Sequence, residues 1–128
     1  MKKKFLSVLS VSLIFTLIFA IGACAVTPRW SYIRSVSPTI DKDGDEYFVT
    51  VGCTTDVTKI EVELELYQKG LLGIYSKKDT HSETVYSAGA IVAASYDMNT
   101  SKTYKVEATV TATTSSGQTE TVTVSHEV

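Results

Sequence analysis

Ile60-Glu61-Val62-Glu63-Leu64-Glu65-Leu66 alternates apolar and acidic side chains without a break. A period of two sends Ile60, Val62, Leu64 and Leu66 to one face of an extended chain and the three glutamates to the other. Wound into a helix, the same residues would spread apolar side chains around the whole circumference. The stretch therefore reads as a strand with one buried and one solvated face.

Working outward, the same device recurs. Tyr104-Lys105-Val106-Glu107-Ala108-Thr109-Val110-Thr111-Ala112 alternates with threonine in several outward slots, and Val122 and Val124 do so near the C-terminus. Tyr47, Val49, Val51 and Cys53 form a fourth alternating face. Weaker strands are expected at Trp30 to Val36, bounded by Pro28 and Pro38, at Ile74 to about Thr80, and at Ala90 to Tyr96. Thr84 to Tyr86 either lengthens the Ile74 strand or forms a short one of its own. Turn residues punctuate the chain at Asp43-Gly44, Gly70 to Gly73, Ala88-Gly89, Asp97 to Ser101 and Ser115-Ser116-Gly117. No segment beyond the leader carries a helical period. The pattern predicts an all-β fold, an antiparallel β-sandwich of about seven strands of the immunoglobulin-like kind.

The first 25 residues belong to a different class. Lys2, Lys3 and Lys4 precede an apolar and small-residue run from Phe5 to Ile21, and Ala23-Cys24-Ala25 closes it. This is the order of a secretory signal helix, with Ala23 and Ala25 setting the cleavage site. Residues 1–25 are thus expected to be a signal peptide and 26–128 the β-sandwich domain, working outside the cytoplasm. Cys24 offers a second reading. Ile21-Gly22-Ala23-Cys24 loosely matches the site at which a cysteine is lipidated, which would leave the domain anchored at the cell surface. An uncleaved anchor fits less well, because the run is short for a span and carries Ser7, Ser10, Ser12 and Thr16.

Without the three leader lysines, nine basic residues stand against fourteen acidic ones, a net charge of −5. That balance argues against nucleic acid and against electrostatic attachment to anionic lipid. A membrane would enter only through the signal or a lipid on Cys24. With cleavage after Ala25, Cys53 is left as the sole cysteine, so no internal disulfide supports the domain and buried strand faces must.

Met98, Thr103-Tyr104, the Val106, Ala108, Val110, Ala112 face, Ser115-Ser116-Gly117 and the Val122, Val124 face resemble the last two strands of fibronectin type III and immunoglobulin-like domains. The resemblance implies that Tyr104 caps a corner by donating its hydroxyl to nearby backbone. The chain departs from that pattern in Trp30, which stands at the start of the first strand and not within the early sheet-spanning ones. Over its whole length the chain is similar to small secreted Gram-positive bacterial proteins of unknown function. The matching parts are Pro28-Arg29-Trp30, Leu64 to Gly70, Thr103-Tyr104-Lys105-Val106 and Gly117 to Thr121. That resemblance implies no activity.

Candidate chemistry is sparse. Asp41, Asp43 and Asp45 with Glu46 resemble the opening of a calcium loop, but Glu46 stands where the turn glycine belongs and Gly52 where the bidentate glutamate belongs. A polar hairpin turn through Asp43-Gly44 is the competing reading. His81 and His126 have no catalytic spacing to anything, and Cys53 lies in phase with a buried face. Trp30 with the tyrosines at 32, 47, 67, 75, 86 and 96 could stack sugars, or simply pack. Glu61, Glu63 and Glu65 read as a solvated row offset by Lys77, Lys78 or Lys105. Asn99-Thr100-Ser101 fits a glycosylation sequon, which matters only in a eukaryotic secretory pathway. Leu71-Leu72, two leucines in a turn, either packs back on the sheet or forms an exposed apolar contact. The expectation is a non-catalytic, cofactor-free extracellular or cell-surface binding module whose ligand the sequence does not name. The alternatives are a secreted antagonistic toxin and an envelope protein with no specific ligand.

Overall fold

The computed structural model describes residues 30–128, which form seven strands in two antiparallel sheets. The strands are β1 (Ile33–Asp41), β2 (Glu46–Cys53), β3 (Val57–Lys69), β4 (Tyr75–Val85), β5 (Gly89–Ser95), β6 (Tyr104–Thr114) and β7 (Thr119–Glu127). One sheet has the order β1-β2-β5 and the other β4-β3-β6-β7. In the constant-type immunoglobulin layout the fourth strand joins the sheet of the first, second and fifth; here it pairs with β3 instead. The expected signal peptide, with its candidate cleavage residues Ala23 and Ala25, and Cys24 lie outside the described residues.

The alternation that opens the sequence sets the core. Ile60, Val62, Leu64 and Leu66 on β3 and Val106, Ala108, Val110 and Ala112 on β6 are buried, facing Tyr47, Val49 and Val51 on β2 and Val92 on β5. Register keeps these sets in phase, with Leu64 opposite Ala108 and Val62 opposite Val110. A slip of one residue would turn every one of them to solvent. Among the described residues the core cluster runs from Ile33 to Val122 and draws on all the strands but β4.

The bounds of the first strand differ from expectation. β1 starts at Ile33, not Trp30, and runs through Pro38, whose buried ring faces the core between Val36 and Ile40. Pro38 is tolerated because β1 is an edge strand, where its outward-facing nitrogen needs no partner. β4 continues to Val85, so of the two expected alternatives Thr84 and Val85 lengthen the Ile74 strand. No residue of β4 is buried, because it overhangs the three-stranded sheet as an edge. Lys77, Lys78 and Asp79 on that edge discourage pairing with another chain.

Tyr104 is buried and its hydroxyl accepts the Asn99 amide at 2.8 Å. The corner forms where the sequence places it, but the bond runs the other way from the expected donation. An amide nitrogen can only donate, so the phenol oxygen must accept.

Candidate functional site

The antiparallel strand directions place the β1–β2 loop, the β3–β4 tip and the β5–β6 loop at one end of the sandwich. The N-terminal entry and the β2–β3, β4–β5 and β6–β7 turns occupy the other. Both sequence-predicted loop candidates therefore share an end.

At the β3–β4 tip, β3 pairs with β6 as far as Gln68 opposite Tyr104, and the Lys69 amide donates to Thr103 O at 2.8 Å. Beyond that rung the hairpin closes on itself. The Gly70 amide donates to Ile74 O at 2.7 Å, and Leu71–Gly73 makes a single 3₁₀ turn. Leu71 is 91% exposed and Leu72 95%, with Ile74 also exposed. Leu72 has φ 62°, a left-handed conformation that crowds a side chain carrying Cβ; Gly73 beside it, at φ 74°, adopts the same region freely. The leucines do not pack back on the sheet.

Behind the apex stands a collar of aromatic and cationic side chains. Lys105 Nζ lies 4.6 Å from the Tyr75 ring and 5.1 Å from the Tyr67 ring, and Lys69 Nζ lies 5.9 Å from Tyr75. These are cation–π distances, and they hold the lysine stems along the tyrosine faces. Lys69 also reaches Glu127 at 3.9 Å, and Lys77 bonds Glu65 at 2.7 Å. The Glu65 hydrogen bond, then its charge, raises the Lys77 pKa. Burial, then the hydrogen bond to Glu65 and its charge, pushes the Tyr67 phenol up.

The β1–β2 loop is a structural tie. Gly44 N donates to Asp41 Oδ1 at 3.0 Å, and a Cβ on Gly44 would sit 2.5 Å from Asp41 Oδ2, so a side chain there would push the carboxylate aside. Asp45, not Gly44, takes the left-handed conformation, at φ 54°. Its carboxylate accepts the Met98 amide at 2.9 Å and its carbonyl accepts the Tyr96 amide at 3.0 Å. Asp41 and Asp45 thus hold backbone amides. Among the described residues no three His, Cys, Asp or Glu side chains converge as a metal ion requires, so Asp41, Asp43, Asp45 and Glu46 are neighbours without being a ligand set.

The other candidates scatter. The outer face of the four-stranded sheet carries the glutamate row and, beside it, threonines on β6 and β7. Thr109 bonds Thr123 at 3.2 Å and Thr111 bonds Thr121 at 2.9 Å. Glu61, Glu63, Ser82 and Thr84 line a shallow depression of about 420 Å³ there, with no aromatic ring in it. Tyr47 is fully buried and Tyr86 exposed, while Tyr67 and Tyr75 stand together around Lys105 behind the β3–β4 tip. His81 faces Glu83 at 3.4 Å, while His126 is exposed on β7 opposite Val106. Cys53 is half-buried rather than fully buried. Burial and the nearby Glu120 charge raise its pKa, which disfavours the nucleophilic thiolate.

Sequence reasoning missed Glu120. It is 6% exposed, and its carboxylate accepts three consecutive amides: Ser31 N at 2.7 Å on Oε2, with Tyr32 N and Ile33 N both at 2.8 Å on Oε1. The signal was present, because Glu120 falls in phase with Val122, an inward position where a charge requires partners. Tyr47 and Asp79 were missed as a pair as well. The Tyr47 hydroxyl donates to Asp79 Oδ2 at 2.7 Å and ties the two sheets together at the β4 edge.

No protein-family model matches the chain, and no curated protein does. Solved structures similar to it include the solution structure of an Arabidopsis thaliana protein, at 11% identity over 76% of this chain and 77% of that one, with TM-score 0.41. A Fn3-like protein from Clostridium thermocellum is 14% identical over 73% and 88%, with TM-score 0.36. A Bacteroides uniformis beta-glucuronidase is 13% identical over 75% of this chain and 12% of its own, also with TM-score 0.36. These likenesses are too distant to bring any activity to this chain, whose fold rests on its own strand order and register.

Proposed function

We propose that the protein is a secreted, non-catalytic binding module that meets its target through the β3–β4 tip, with Leu71 and Leu72 leading. One observation carries this reading: two adjacent leucines stand more than nine-tenths exposed on a turn that holds one of them in a left-handed conformation. Each leucine left in water forgoes about 1.5–3 kcal/mol of burial free energy. Tight hydrogen bonds at Gly70 and Lys69 fix the backbone beneath them, so little ordering would oppose binding. The leader supports an extracellular site of action. The intact mass of the exported form distinguishes a chain beginning at Val26 from a lipid-bearing one beginning at Cys24.

The test is association of residues 26–128 with whole bacterial cells and isolated envelopes, wild type against Leu71→Asp with Leu72→Asp. Loss of association in the double variant supports the tip as the contact. Equal association of both proteins removes it. Growth inhibition by the wild type, absent in the variant, would favour the antagonistic form of the same reading.

A further inference from the structure

We infer that the surface met by the β3–β4 tip is a lipid bilayer, entered by Leu71, Leu72 and Ile74; this rests on the reading of the tip as the contact site. The argument is the order of chemistry along the hairpin axis. Aliphatic side chains form the apex, the rings of Tyr75 and Tyr67 stand behind them, and Lys105 and Lys69 lie over those rings. That sequence matches hydrocarbon, interface and headgroup, where tyrosines settle at the boundary and lysines extend toward phosphate. The apex is convex, with the side chains standing clear of the domain, a shape that a fluid bilayer accepts without a matching pocket. Three apex amides are bonded within the turn, Gly70 N to Ile74 O, Gly73 N to Gly70 O and Ile74 N to Leu71 O, which leaves the Leu71 and Leu72 amides to the hydrated interface.

Charge decides what kind of contact this is. Lys69 is paired with Glu127, and Lys77 with Glu65, while Lys105 forms no ion pair among the described residues. The collar is therefore close to neutral, and insertion is apolar rather than electrostatic. Three aliphatic side chains bury less than one acyl chain, so binding is weaker than that of a single myristoyl group and reversible. Ile33, where the chain enters the sandwich, lies at the opposite end from the tip.

The test is flotation of residues 26–128 with vesicles of phosphatidylcholine alone and with one quarter phosphatidylglycerol. The expected result is saturable binding to both, changing less than about three-fold between 50 and 500 mM salt, because screening acts on charges and not on apolar insertion. Leu71→Asp with Leu72→Asp is expected to weaken binding about ten-fold or more, and Leu72→Trp to show a blue-shifted emission on vesicle addition. Circular dichroism and melting of each variant confirm the fold, which exposed tip residues do not support. Absence of flotation with both vesicles overturns the bilayer, as does binding that the double aspartate variant retains. If vesicles fail while whole-cell association still requires the leucines, the tip remains a contact for a protein or glycan and only the bilayer falls. If cell association is also indifferent to the leucines, the underlying reading falls with it.

Discussion

Replacing Glu120 tests the least expected piece of the architecture. Glu120→Ala removes the acceptor of three amide donors on residues 31–33. Hydrogen bonds to an ionised group contribute about 1.5–3 kcal/mol each, so three in isolation would sum to roughly 4–9 kcal/mol. The Ser31 and Tyr32 amides lie near the surface and can rehydrate in the variant, whereas Ile33 is buried. A loss of about 3–5 kcal/mol follows, against a total of roughly 5–15 kcal/mol for a domain of this size. At about 4–8 °C per kcal/mol, the melting temperature should fall by more than about 12 °C. Glu120→Gln retains one acceptor oxygen but sets an amide group against a backbone donor, so its loss should be intermediate. Urea unfolding of residues 26–128 gives the energies, and amide exchange at Tyr32 and Ile33 shows whether the N-terminal segment peels away first. An alanine variant within about 0.5 kcal/mol of wild type, with exchange at those amides unchanged, would refute the clamp.

Tyr104→Phe should cost about 1–2 kcal/mol in urea unfolding by stranding the partly buried Asn99 amide, and a neutral result would remove the corner from the account. Leu72→Gly should stabilise the domain by about 0.5–1 kcal/mol, since glycine adopts the left-handed conformation without strain and gives back only part of that through chain entropy; a loss beyond 1 kcal/mol would show that Leu72 makes contacts of its own. Burial, then the bond to Asp79 and its charge, raises the Tyr47 phenol, so the folded state keeps a proton that the unfolded chain releases above about pH 10. That stability is fully present below about pH 10 and disappears as the pH climbs through the folded-state pKa, and Tyr67 behaves alike. Melting temperature measured from pH 8 to 12 should therefore fall less steeply in Tyr47→Phe with Tyr67→Phe than in wild type. Parallel curves would show that the two phenols are not linked to folding.

Much of the fold was legible because strand alternation is a local property. Ile60 to Leu66 and Tyr104 to Ala112 state which side chains face inward wherever their partners lie, and their burial follows. The Tyr104 corner was legible through the resemblance to fibronectin type III and immunoglobulin-like domains, although its partner Asn99 was not. Pro38 misled because a proline ends a central strand but not an edge strand, and edge position is a property of the sheet. The Leu71-Leu72 turn was visible as an oddity, although its outward direction depended on how far β3 outruns β6.

Sequence alone determined the strand phases, the absence of helical period beyond the leader and the residues available to each turn, because each is written within a few neighbouring positions. The turn from Gly70 to Gly73 likewise announced that β4 returns against β3, whereas tertiary structure decided which end of the sandwich carries the leucine tip. Tertiary structure also decided that Glu120 holds amides 87 to 89 residues earlier in the chain. Such contacts exist only after two sheets have chosen their order and register, and no local pattern of side chains records that choice.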